Sequence, residues 1–166
     1  MAQSDVVTVV ANFDSMSEAD IAALENGPSG LARPREERAL LYALRVSRCV
    51  PNLRRLPTLA SRVGVAHRGA GGFGLDGARA SPHWQVVRDF LASLYIARFD
   101  TLAEELVRQT ESAVRAGRGS KRDAVRVERA TQELKAAVEV IAADVPIVRQ
   151  HADRWIESLS ALQTGS

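Results

Sequence analysis

From Trp84 onward, apolar residues return every third or fourth position almost to the end of the chain, a rhythm that only helices satisfy. Trp84, Val87, Leu91, Tyr95, Phe99, Leu102 and Leu106 form one stripe. Val86, Phe90, Leu94 and Ile96 widen it, so the front of this helix is expected to be buried on most sides. Beyond the turn Gly117-Arg118-Gly119-Ser120, a second stripe runs through Val127, Ala130, Leu134, Val138 and Ile141. After Asp144-Val145-Pro146 a third carries Val148, Ala152, Trp155, Leu159 and Leu162, in the four-three-four-three spacing of a heptad seam. Helices joined by such short turns are antiparallel neighbours, so residues 82–163 are expected to form a three-helix antiparallel core. The first of these helices would measure ~50 Å unbroken, and Asp100 with Thr101-x-x-Glu104 offers a place for it to bend or restart.

The preceding half is more broken. Asp5 to Phe13 is rich in β-branched residues and reads as a short N-terminal arm, strand or otherwise. A helix is expected to start near Ser15 or Ser17, where Ser15-Met16-Ser17-Glu18 reads as a capping box, and to stop at Asn26-Gly27-Pro28. Pro34, followed by Glu36 and Glu37, opens another helix reaching about Cys49. Leu56, Leu59, Ala60 and Val63 mark a short one. From Gly64 to Ser81 six glycines interrupt the pattern, and a long Gly-rich loop is expected over 64–81. Ser81-Pro82 then starts the long helix. The fold class expected is therefore all-α: an antiparallel bundle of about five helices in a single domain, 1–166, with a long Gly-rich loop and a short N-terminal arm.

Charge is distributed unevenly. Residues 1–30 hold five acids and no base, for −5, whereas residues 31–80 hold ten arginines against three acids, for +7. Arg33, Arg35, Arg38, Arg45, Arg48, Arg54, Arg55, Arg62 and Arg68 are the candidates for contacts to a phosphate backbone, since the guanidinium fork suits phosphate and carboxylate alike. The acidic N-terminus competes with that reading, because it can neutralise such a face within the fold. Few aromatics accompany these arginines, which disfavours reading of single-stranded bases.

Patterns for catalysis and cofactors are weak. None of His67, His83 and His151 follows a glutamate by three residues, and the single cysteine, Cys49, cannot form a disulfide within the chain. Gly69-Ala70-Gly71-Gly72-Phe73-Gly74 spells G-x-G-x-x-G without the strand and helix that such a phosphate loop needs. Leu59 to Val65 starts like a DNA-binding helix-turn-helix, but glycines occupy the place of its recognition helix. Arg62 and His67 are spaced as R-x4-H, and this element is similar to that of HEPN-type ribonucleases, small all-α domains that cleave RNA at a helical dimer interface. The resemblance implies a ribonuclease with Arg62 and His67 in its active site. No catalytic, metal or cofactor site is otherwise expected. An acidic N-terminus and the absence of any apolar run of ~20 residues speak against export and membrane crossing, so a soluble cytoplasmic protein is expected. The leading expectation is a non-enzymatic adaptor or assembly subunit that works through a protein partner or as a homo-oligomer, with Val148, Trp155, Leu159 and Leu162 as its association seam. A sequence-independent nucleic-acid-binding subunit is the second.

Overall fold

The computed structural model describes residues 5–27, 33–68, 79–117 and 120–164, and every regular element among them is helical. Among the described residues seven α-helices appear rather than about five: α1 (Asp5–Ala11), α2 (Glu18–Asn26), α3 (Arg35–Ser47), α4 (Leu56–Arg68), α5 (Trp84–Ala116), α6 (Lys121–Asp144) and α7 (Val148–Thr164), with a 3-10 turn at Val50–Asn52. None is long and apolar enough to cross a membrane among the described residues. The chain gathers into two compact units, one of Met1–Asn52 with Arg62–Leu94, the other of Leu53–Ser61 with Tyr95–Ser166.

In the first unit α1 and α2 each pack on α3. The expected arm is helical because Val6 and Val9, three residues apart, both reach 0 % exposure on one face. Burial of that face outweighs the strand preference of valine. The capping box of α2 sits two residues later than expected. The Ser17 backbone N–H donates to Asp20 Oδ2 (2.9 Å) and the Asp20 N–H to Ser17 Oγ (3.1 Å), while the Ser15 hydroxyl donates to the Asn12 carbonyl in the preceding turn. Gly27 ends α2 with φ 75°, a backbone conformation that glycine enters without a Cβ clash. Leu40, Leu41 and Leu44 bury the inner side of α3, and Phe13 meets Phe90 edge-on with ring centroids 4.8 Å apart.

The Gly-rich loop begins later than expected, because α4 passes through Gly64 to Arg68; positions 69–78, including the G-x-G-x-x-G element, lie outside the described residues. A helical glycine costs about 1 kcal/mol against alanine, which the burial of Leu56, Leu59 and Val63 on the same helix offsets. At the start of α5, Ser81 and Pro82 form a turn outside the helix: the Ser81 hydroxyl accepts from the His83 N–H (3.2 Å) and helix begins at Trp84. No restart occurs near Asp100. The Thr101 hydroxyl donates to the Ala97 carbonyl (2.9 Å) as an ordinary helical side chain, and α5 continues for 33 residues.

In the second unit, residues near the end of α5 lie beside the beginning of α6, and a short turn leads from α6 into α7. Antiparallel order follows for each of these two pairs. Ser120 caps α6, its hydroxyl oxygen accepting from the Asp123 N–H (3.3 Å) while the hydroxyl donates to Asp123 Oδ2 (2.6 Å). Arg149 donates to both carboxylate oxygens of Glu139 (3.0 and 3.3 Å), tying α7 to α6 across the turn. Leu59, Tyr95, Phe99, Leu134, Ile141 and Leu159 are the large side chains at the centre of this unit.

Hydrogen bonds from Ser17, the backbone N–H first, hold the Asp20 carboxyl below its ordinary value of 3.8. A carboxyl lowered by folding stabilises above its unfolded value, and that contribution is lost as pH falls through the folded one. Asp20→Asn is therefore expected to lower the urea midpoint near neutral pH, with the gap to wild type closing in acid below pH 3.8.

Candidate functional site

The arginines of 31–80 are divided between two fates. Three of them in the first unit are engaged with the acidic N-terminal segment. Arg33 pairs with Asp5 and, at 3.4 Å, with Glu37. Arg45 donates from Nε to Glu25 (2.7 Å), lies 3.6 Å from Glu18, and stacks over Tyr42 at 5.0 Å. Arg48 donates to the backbone carbonyls of Met16 (2.6 Å) and Asp14 (3.1 Å) and covers Phe13. Glu25 raises the affinity of Arg45 for its proton, chiefly through the hydrogen bond. By sequence, this unit holds nine basic and nine acidic side chains. Its arginine excess is cancelled within the unit. Arg35 and Arg38 are exposed on α3, Arg62 is half-buried on α4, and the side chain of Arg68 lies outside the described residues.

Arg54 and Arg55 belong to the second unit, where they stand just before α4, and the Arg55 carbonyl accepts the first helical N–H from Leu59 (3.0 Å). They line a cavity of about 120 Å³ with Leu56 from α4, Leu102, Glu105, Leu106 and Gln109 from α5, and Glu133 from α6. A second cavity of about 260 Å³ shares Leu106, Gln109 and Glu133 and adds Thr110, Arg126, Arg129 and Ala130. Arg126, Arg129 and Glu133 occupy positions i, i+3 and i+7, which a helix sets on one face. Glu133 lies 3.9 Å from Arg55 and 3.5 Å from Arg129, both guanidiniums being largely exposed. The outcome is a groove with a leucine floor and four guanidiniums on its rim. Sequence reasoning found Arg54 and Arg55 but missed Arg126 and Arg129, which sit far along the chain in a helix of balanced charge.

A second polar cluster surrounds Asp100. It accepts from Trp155 Nε1 (3.2 Å) and pairs with His151 Nδ1 (3.2 Å), while Arg154 lies 3.9 Å away and stacks over Trp155. By sequence Trp155 reads as a seam residue and His151 is given no partner; their shared carboxylate on α5 is not legible. Of the expected seam, Val148 and Leu159 are fully buried, whereas Trp155 and Leu162 are half-buried. Arg62 and His67 both lie on α4, where positions five apart are turned by about 140° around the axis. Among the described residues no group of three or more His, Cys, Asp or Glu is placed to hold a metal ion.

Compared with known proteins, the chain matches no family model, no curated protein and no solved structure at a significant level.

Glu25 is 9 % exposed and depends on Arg45 for its compensation. Arg45→Met is expected to cost about 1–3 kcal/mol in urea unfolding, less than for a fully buried pair because Arg45 is partly solvated. Adding Glu25→Gln should recover part of the loss.

Proposed function

We infer that the chain is a helical-bundle association module, a non-enzymatic adaptor or assembly subunit that works by holding a protein partner. One observation carries this reading: the leucine-floored groove of the second unit, where Arg54, Arg55, Arg126 and Arg129 surround an apolar surface. Apolar floors with arginine rims are what protein interfaces favour, since arginine supplies both stacking area and directed hydrogen bonds. Val148 and Leu159 contribute to the buried core, so the groove rather than the expected α7 seam is the better surface for association.

The same arginines favour a second reading, sequence-independent binding of a nucleic-acid backbone. Neutralisation of Arg33, Arg45 and Arg48 by acids and carbonyls removes three of the nine contacts that reading drew on. A ribonuclease built on Arg62 and His67 has less support, the two positions lying on different sides of one helix.

Tagged full-length chain is expected to be recovered from its own cells with a stoichiometric protein partner, or to scatter light as an oligomer. A monomer without a stoichiometric partner would refute the association reading. Purified chain titrated with mixed-sequence RNA and duplex DNA across a salt series should bind weakly. Tight binding that falls linearly in log salt would move the assignment to nucleic acid.

A further inference from the structure

We propose that the groove beside the start of α4 receives an acidic peptide segment of a protein partner, with an aliphatic side chain on the leucine floor and carboxylates on Arg54 and Arg126. The proposal rests on the association reading and names the occupant of its site.

Charge supplies the first argument. One carboxylate, Glu133, serves two of the rim arginines, at 3.9 Å from Arg55 and 3.5 Å from Arg129. Arg54 and Arg126 are exposed and form no ion pair among the described residues. The rim therefore keeps guanidinium capacity at its two outer positions, and a guanidinium binds a carboxylate through two parallel hydrogen bonds. Glu133 shows the arrangement in miniature: a side-chain carboxylate held between arginines from two elements.

Shape and chemistry of the floor supply the second. Leu56 and Leu102 are nearly closed off and Leu106 is half-buried, so the aliphatic surface open between the arginines is chiefly that of Leu106. The first cavity, about 120 Å³, is the space of roughly four waters and takes one side chain, and the adjoining cavity of about 260 Å³ leaves room for the residues that flank it in a peptide. Covering such a floor with a hydrocarbon side chain releases water and strengthens the flanking ion pairs by lowering the local dielectric.

The same features argue against a polyphosphate. Among the described residues no aromatic ring lines either cavity to stack a base, and Glu105 and Glu133 stand among the arginines, where a chain charged at every nucleotide would meet them. A peptide can set its carboxylates only where arginines wait.

The test is selection of short random peptides displayed on phage against the immobilised full-length chain, followed by anisotropy titration of the synthesised winners at low and high salt. Winners are expected to carry net negative charge around a leucine-like residue, and their binding should weaken with salt. The double variant Arg54→Glu/Arg126→Glu, at exposed positions and checked by circular dichroism, should bind them at least about tenfold more weakly. Winners without acidic bias, or winners bound equally by the variant, would overturn the assignment. So would a short single-stranded RNA that binds more tightly than the peptides and is lost with the same variant. Failure here alongside a stoichiometric partner in cells removes only the groove's occupant; failure of both removes the association reading as well.

Discussion

A buried carboxylate must be matched, and much of the first unit is arranged around matching one. Glu25 lies on the inner side of α2, and among the described residues its ion-pair partner is Arg45 on α3. The pair ties α2 to α3 at a defined register, since a shift of one residue along either helix would turn one partner away by about 100°. Arg48, one turn further, donates to the carbonyls of Asp14 and Met16 and so holds the turn between α1 and α2. Arg33 reaches Asp5 at the start of α1. Such pairs add little net stability after desolvation, but breaking one leaves an uncompensated charge, which is why they specify arrangement more than they strengthen it.

This internal matching redistributes the chain's electrostatics. Eight of the ten arginines of 31–80 sit in a unit that is neutral as a whole, and the other two, Arg54 and Arg55, belong to the second unit. Arginines that look alike in sequence thus differ in availability. Arg45 already has two acids, whereas Arg54 faces solvent beside a groove. Functional reasoning shifts accordingly from the arginine-rich stretch to the second unit, where arginines from the approach to α4 and from α6 meet over leucines contributed by α4 and α5.

In the second unit the heptad spacing of α7 correctly indicated a buried side, with Val148, Ala152 and Leu159 closed off. It did not indicate that Trp155 would turn its indole N–H to Asp100, or that His151 would share that carboxylate. The continuity of α5 was hidden for a related reason. Asp100 and Thr101 resemble a capping sequence, yet Asp100 is occupied by side chains of α7 and Thr101 bonds back to Ala97, so neither competes for the helix backbone. The valine-rich run near the N-terminus was ambiguous for the opposite reason: its residues favour strands, and only burial of Val6 and Val9 selects the helix.

By itself, the sequence determined the helical class and most helix limits, because apolar period, capping side chains and glycine stops act within a few residues of one another. Gly27 and Ser120 do their work locally, and both were legible. Only the tertiary structure decided which charges are spent and which remain. Arg45 and Glu25 are separated by 20 residues, Arg33 and Asp5 by 28, and Trp155 and Asp100 by 55. Pairing across such distances is set by how amphipathic helices pack, and a local pattern carries no record of it.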